Sequence, residues 1–381
     1  MTFPDRFNAW FHPFMIKRVA KFYNKKMKLI AKQNPDLFKP VDPEVTKKHL
    51  SLWGRLGLPV TDQWLRFLSN VSGIVDYTYC PDDMYYAVIE RIINTSDWGI
   101  GGMSDKNMMS LFVDVEDSPR NILRYMRGRF SDQEYKTLSE KQVVDLLRGD
   151  HGDLIGKIVD ESGGHGVAAY KFIDGRYVAK DGQPLTIDRI RGFGNSWMLQ
   201  ERIEQCEFSE QFNPSSCNTC RIITLRCPWN GKTRVAAAGM RFGVTDSVID
   251  NMSQGGMCVA MSRKGELGRI AATNWYNGEP VLRHPVSGIV FGGKVHPYFR
   301  EMEELACKYA AKNPYMSILS WDMVADKNGR IKILEVNPAG QGIDWPQFDF
   351  GSLFGEDTEE LVDWCVNHMQ FNSFNHFRTW Y

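Results

Sequence analysis

The chain has 381 residues, 43% hydrophobic and 24% charged, with 46 basic and 46 acidic side chains. That length allows two or three domains with sizeable cores, and the composition is that of an ordinary soluble globular protein. The zero formal balance gives no electrostatic case for nucleic acid as a partner, and no run of about 18 apolar residues exists to cross a membrane.

Charge is uneven along the chain. Residues 1–50 hold 11 Lys/Arg against 4 Asp/Glu, a net of +7, so the remainder carries −7. The opening Met1-Thr-Phe-Pro-Asp5 lacks the basic-then-apolar pattern of a secretory signal. Eight scattered cysteines are the pattern of reduced thiols in a cytoplasmic chain, not of a disulfide framework. Cys217-Asn-Thr-Cys220 has no matching second pair and reads as small apolar thiols leading into a strand.

Residues 1–100 are predicted to be mainly helical. Trp10–Met15, followed by Lys17, Arg18, Lys21, Lys25, Lys26, Lys28 and Lys32, makes a basic amphipathic segment. Such a segment can meet an anionic inner membrane face or a partner such as a glycosyltransferase, or pack its aromatics on its own chain. Leu52–Leu68 reads as two helices broken at Gly57–Pro59, and Pro81–Asn94 as another with proline in its first turn. From about residue 104 strands and helices alternate, which points to α/β or α+β architecture. The aromatic tail 367–381 is expected to fold back on the body.

Three segments in this second region carry chemistry. Leu154–Val159 is an apolar strand interrupted by Lys157, and Ser162-Gly-Gly-His-Gly166 follows as a Gly-rich loop. Backbone N–H groups of such a loop can cradle phosphate, and a lysine inside the strand needs an anionic partner. Trp197–Glu204 is a strand that turns polar, whose backbone can offer an adenine edge a donor and an acceptor. Arg221 and Arg241 lie on neighbouring strands, and a guanidinium suits phosphate or carboxylate.

A fourth segment, a hairpin, is the most informative. Ser317–Lys327 and Arg330–Pro338 flank Asn328-Gly329, and Asn-Gly signals a two-residue type I′ hairpin in which Lys327 pairs with Arg330. With that loop every opposed pair sums to 657, so Asp322 faces Glu335 with Cβ atoms about 4.5–5.5 Å apart. Asn337 shares their face, while Met323–Leu334 and Trp321–Val336 form the apolar one. Two opposed carboxylates and an amide oxygen suit Mg²⁺, which prefers hard oxygen ligands.

In order, Asp105-Lys106, Ile155-Gly-Lys157, Ser162–Gly166, Gln200-Glu-Arg-Ile203, Arg221, Arg241, Asn251, Gly255-Gly256, Asp322 and Glu335-Val-Asn337 resemble the ATP-grasp superfamily. The layout is similar to D-alanine–D-alanine ligases and ribosomal-protein glutamate ligases. It is most similar to the sugar-transfer-associated proteins linked with cell-surface polysaccharide biosynthesis. Gln200–Gln205, Asn213–Leu225 and Arg241–Gly256 carry that likeness.

The resemblance implies an α+β ATP-grasp fold: two subdomains, 101–205 and 206–366, gripping ATP behind the helical region 1–100, which is a candidate for acceptor or partner binding. It implies Lys106 and Lys157 on the phosphates, and Ser162–Gly166 as a flap over the γ-phosphate, with Ser162, Gly163 and Gly164 binding the nucleotide. Gln200, Glu201 and Ile203 would hold adenine, and Glu207 the ribose. Arg221, Arg241 and Asn251 would serve the acyl phosphate or acceptor. Asp322, Glu335 and Asn337 would hold Mg²⁺, as two ions, with Mn²⁺ able to substitute. The expected activity is ATP-dependent ligation of a small-molecule or sugar-linked carboxylate to an amine. A kinase on the same fold and a non-catalytic nucleotide-binding protein are the alternatives. One departure stands out: D-alanine ligases carry an arginine two residues before the metal aspartate, where this chain has Ser320.

Overall fold

A computed structural model describes residues 3–94, 97–159, 165–246, 248–273 and 280–371. The flap residues Ser162, Gly163 and Gly164 and the tail from 372 lie outside the described residues. Among those described, no helix is long and apolar enough to cross a membrane.

Helix α1 (Phe3–Gln33) follows its apolar spacing. Met15, Val19, Tyr23, Met27 and Ile30 recur three to four residues apart and are buried together, while Lys17, Arg18, Lys21, Lys25, Lys28 and Lys32 are exposed. Helix α2 (Pro43–Gly54) starts where the Asp42 side chain accepts from the backbone N–H groups of Glu44 and Val45. Helix α3 (Gln63–Ser72) ends on Gly73 in the left-handed region, φ 77°. The break between them falls at 55–62, bracketing the predicted Gly57–Pro59.

The predicted 81–94 helix has three parts. Helix α4 (Asp82–Met84) runs into a π-helical turn (Tyr85–Ile89) and then helix α5 (Glu90–Ile93). Pro81 caps it from just outside. Helix α6 (Asp97–Ser104) follows. The π turn is anchored from outside: Tyr86 Oη accepts from Gly342 N at 3.0 Å and Glu90 Oε1 accepts from Gly340 N at 2.9 Å.

Glu90 gives a pH-dependent test of this packing. Burial pushes its carboxyl up to about 7, against the opposing hydrogen bond from Gly340. In the unfolded chain the group ionises near its ordinary value, so the folded form binds the proton more tightly. Its contribution to stability is therefore complete below about pH 4 and is lost as pH rises through about 7. The size is on the order of 3 kcal/mol. Glu90→Gln keeps the acceptor and cannot ionise, so urea unfolding across pH 5–8 should show a flatter fall in stability than wild type. An identical pH profile would refute the assignment.

The described strands form two antiparallel sheets. The first holds β1 (Asn121–Met126), β2 (Arg129–Ser131), β3 (Thr137–Leu138), β4 (Leu154–Ile158), β5 (Val167–Ile173), β6 (Arg176–Ala179) and β7 (Ser196–Glu201), in the order β3-β2-β1-β7-β4-β5-β6. Helices α7 (Glu140–Arg148) and α8 (Ile187–Gly192) close its core, where Val143, Leu147 and Ile190 meet Leu154, Trp197 and Leu199. A Ser139–Gln142 capping box starts α7.

A short helix α9 (Glu207–Glu210) leads into the second sheet: β8 (Cys220–Arg226), β9 (Thr233–Phe242), β10 (Met257–Met261), β11 (Leu267–Ala272), β12 (Ile318–Ala325) and β13 (Ile331–Asn337), in the order β11-β10-β9-β8-β12-β13. On one face lies helix α10 (Phe299–Ala311), with Trp321, Met323, Ile333 and Val336 in the shared core. The N-terminal helices and helix α11 (Thr358–Asn367) cover the other, where Val19, Trp53 and Ile89 meet Ile223, Leu225 and Ile318. The basic helix thus packs on its own chain. Gly239 of β9 permits this layer to come close, because a Cβ there would strike the ring of Trp345 and the carbonyl of Val259.

Residues 202–206 stitch the sheets together. Arg202 N donates to Asp153 O at 2.9 Å, on the first sheet's side. Glu204 O accepts from Lys327 N at 2.8 Å and Cys206 N donates to Ala325 O at 2.9 Å, on the second.

Candidate functional site

The β12–β13 hairpin delivers the opposed carboxylates by a different route from the predicted one. Asp326 N donates to Arg330 O and Gly329 N donates to Asp326 O, so the loop has three residues, 327–329. Only Gly329 has positive φ, 81°, which rules out the type I′ turn that needs it at two positions. Near the turn the partners therefore sum to 656: Met323 faces Ile333, not Leu334, and Val324 faces Lys332. A bulge between Asp322 and Met323 restores 657, giving Asp322–Glu335, Trp321–Val336 and Ser320–Asn337. Ile333 and Val336, three residues apart, can both enter the core only because of that bulge.

Asp322 is buried, 2% exposed, and held by two arginines. Arg221 reaches it bidentately, Nε to Oδ1 at 2.9 Å and Nη2 to Oδ2 at 3.0 Å. Arg241 Nη2 lies 3.2 Å from Oδ2, and Asn337 Nδ2 donates to the same oxygen at 3.4 Å. Burial alone would raise this carboxyl, but Arg221 and Arg241 outweigh it and hold it at about 2. The three residues meet because Asp322 pairs across the ladder with Arg221, and Arg221 with Gly239, two residues from Arg241.

Arg241 is aimed by a residue the sequence reading did not single out. Asp250 accepts from Thr219 N and Thr219 Oγ1 through Oδ2, and its Oδ1 lies 3.4 Å from Arg241 Nη2. Thr219 Oγ1 in turn accepts from Arg241 Nε at 2.9 Å. Asp250 lies within the 241–256 phrase, but only the fold shows which side chain there meets the arginine. Asn251 next to it caps the turn Met252–Gln254, its Oδ1 accepting from Ser253 N at 2.9 Å. Gly256 must lack a Cβ, which would strike the carbonyl of Asp250. Ser320, standing where D-alanine ligases carry an arginine, is fully buried and donates to Gln341 Oε1 at 2.9 Å.

The lysines come from the turn that precedes the first sheet and from that sheet itself. Lys106 opens a 3₁₀ turn (Lys106–Leu111) started by Asp105, whose Oδ1 accepts from Asn107 N. Its Nζ lies 3.2 Å from Glu335 Oε1 and donates to Val159 O at 3.5 Å. It therefore ties the end of β4 to the metal-candidate strand. Lys157, on β4, loses proton affinity through burial, which the field of Glu335 opposes and that of Lys106 reinforces. His165, one of the two flap residues that the structure describes, has Nε2 2.9 Å from the Gln254 amide nitrogen, linking the loop to the Asn251 turn.

The adenine and ribose candidates lie along the stitch between the sheets. Gln200 is buried in β7, its Nε2 donating to Asn121 Oδ1 at 3.0 Å. Glu201 Oε1 accepts from Arg120 N at 2.9 Å, and Ile203 follows where the chain leaves the sheet. Glu207 is exposed in the first turn of α9.

Among the described residues no three His, Cys, Asp or Glu side chains converge as a metal site. Asp322, Glu335 and Asn337 supply two carboxylates and an amide, a hard-oxygen set that fits Mg²⁺ with water and phosphate completing its shell. The cysteines are free thiols, and burial pushes Cys217 up to about 12 and Cys220 higher still, which makes both unreactive.

Among curated proteins none matches the chain. The computed fold is similar to the ADP complex of N5-carboxyaminoimidazole ribonucleotide synthetase, with 12% identity and a TM-score of 0.36, over 63% of this chain and 46% of that one. It is similar to D-alanyl-alanine synthetase A from Vibrio cholerae O1 biovar eltor, with 14% identity and a TM-score of 0.35, over 71% and 66%. It is also similar to L-amino acid ligase from Bacillus licheniformis, with 12% identity and a TM-score of 0.36, over 64% and 43%. The matched region thus spans less than half the length of two of these proteins, and likeness at this level gives no residue correspondence. The model of one sequence family, described as sugar-transfer associated ATP-grasp, matches residues 127–359, which take in every strand from β4 to β13 and all but Lys106 of the candidate site. The chain belongs to the sugar-transfer associated ATP-grasp family.

Proposed function

We propose that this chain is an ATP-dependent carboxylate–amine ligase that works through an acyl phosphate. The observation that carries the reading is the meeting of Lys106, from the turn that precedes the first sheet, and Lys157, from that sheet, with Arg221, Arg241, Asp322 and Glu335 from the second. Four cations around two carboxylates, at the joint between two sheets, suit a polyphosphate bound with a metal. In this reading 101–205 and 206–366 are the two grips, with the stitch at 202–206 beside the adenine.

Asp322, Glu335 and Asn337 would hold Mg²⁺, which when bound neutralises charge on the β- and γ-phosphates. The chain's own part is electrostatic and positional. Lys106 and Lys157 neutralise phosphate oxygens, and Lys106 can exchange Glu335 for the nucleotide. A substrate carboxylate attacks the γ-phosphorus, and the bond to ADP breaks. The amine nitrogen then attacks the acyl carbon, the bond to phosphate breaks, and a proton leaves the nitrogen. Arg221 and Arg241 are held rigidly enough by Asp322 and Asp250 to stabilise the oxyanion formed on the way. They take the place of the arginine that Ser320 excludes.

The family's name supports tailoring of a cell-surface polysaccharide precursor as the setting. The reading needs no membrane or glycosyltransferase contact from α1, whose apolar stripe is buried in the chain's own core.

Trapping tests the chemistry. With ATP, Mg²⁺, a panel of sugar acids and amino acids, and hydroxylamine, the protein is expected to form a hydroxamate together with ADP. A stable phosphorylated product and no hydroxamate would replace the ligase with a kinase.

A further inference from the structure

Between the N-terminal helices and the second sheet lies a cleft of about 220 Å³. Tyr23 and Tyr86 stack on its wall, ring centroids 4.8 Å apart and planes 12° from parallel. Beside them Lys26 Nζ lies 2.8 Å from Asp344 Oδ2 and 3.5 Å from Asp82 Oδ2. We propose that this cleft is the subsite for the amine acceptor, a small primary amine that enters as its ammonium ion and is held by Asp82 and Asp344 against the tyrosines. The assignment rests on the ligase reading above.

Three observations carry it. The cluster holds two carboxylates against one ammonium, so it is short of one positive charge. Asp82 bears that shortfall: its side chain is 3% exposed, and its Oδ1 is buried with no hydrogen-bond partner among the described residues. Burial pushes its carboxyl well above the usual range despite Lys26, whereas Lys26 holds Asp344 below it against burial. Lys26 and Asp344 therefore satisfy each other, and Asp82 is left over. A hydroxyl could donate to Oδ1, but an ammonium also supplies the counter-charge that lets the buried Asp82 ionise.

The second observation is the aromatic wall, which suits an ammonium and its carbon body alike. The third is position. Met252 lines the cleft and follows Asn251. Gly342 lines it as well and follows Gln341, whose carbonyl accepts from Arg221 Nη1 at 3.4 Å. The cleft thus adjoins the two arginines by continuous chain, and Tyr86 fixes that chain through Gly342 N.

The test is thermal unfolding of the full chain with matched ligand pairs: tyramine against 4-hydroxyphenethyl alcohol, glucosamine against glucose, ethanolamine against ethylene glycol. At least one amine is expected to raise Tm by several degrees, its neutral partner by clearly less. Asp82→Asn, which keeps the shape and removes the charge, should lose that shift. Thr273→Phe, which fills the cleft from its rim, should lose it too and decides the matter if the first variant fails to fold. No amine response, equal responses to amine and alcohol, or an undiminished response in a folded variant would overturn the subsite. ATP with Mg²⁺ is titrated alongside, and both variants should keep the wild-type response. A wild type that ignores ATP would overturn the ligase reading and the acceptor assignment with it. An intact ATP response with failed amine arms overturns the subsite alone.

Discussion

Asp322→Ala is expected to destabilise the fold by about 3–5 kcal/mol, the range for removing one partner of a buried ion pair. The side chain is 2% exposed, and those of its partners Arg221 and Arg241 are 14% and 9% exposed, so solvent cannot take its place. Both guanidiniums would be left facing each other across β8 and β9, with Asp250 paired to Arg241 and, among the described residues, no carboxylate in an ion pair with Arg221. Asp322→Asn keeps one acceptor oxygen and should cost less, separating lost charge from lost hydrogen bonds. Urea unfolding of wild type and the two variants at pH 7 measures both. A loss below about 1 kcal/mol for the alanine variant would show that the arginines find other partners. Catalysis should fall in both variants, since each disturbs the arginine pair and the metal set together.

Glu335→Gln should behave in the opposite way, with stability nearly unchanged and turnover lost. Its side chain is 32% exposed and its ion pair with Lys106 lies at the edge of the site, so the pair contributes at most about 1 kcal/mol. Even outer-shell partners of metal ligands typically matter 10–100-fold, so losing a ligand should lower ADP release at least about a hundredfold. A second readout is independent of the unknown substrate. ATP should raise the wild-type Tm more with Mg²⁺ than with EDTA, and the variant should lose that difference. If the variant keeps both turnover and the Mg²⁺ difference, Glu335 is not a ligand.

The two variants differ because the two acids of one hairpin sit in different surroundings, which strand alternation alone does not reveal. Alternation put Asp322, Glu335 and Asn337 on one face, and there the structure has them. The same rule placed Leu334 opposite Met323, where Ile333 stands. Asn-Gly marks a turn, yet a type I turn with one left-handed glycine uses the same dipeptide as a two-residue loop does. The bulge that corrects the register leaves no mark in the residues. Arg221 and Arg241 were legible as candidates because they stand in the family's ordered motifs. That both grip one aspartate depends on which strand lies beside which: β12 hydrogen-bonds β8 across 91 intervening residues.

The sequence by itself determined the local features: helices with a buried stripe, the strand–loop–strand around Lys157, the opposed carboxylates and the ordered motifs of the family. These follow from residue type at fixed short spacing, through periodicity and turn chemistry. Only the tertiary structure decided the long-range ones. Asp250 aims Arg241, Ser320 is closed off by Gln341, and the basic helix lends Lys26 to a carboxylate pair more than 50 residues away. Each depends on two segments that meet only when the sheets and the helical layer pack, and no short-range pattern encodes which buried charge will meet which.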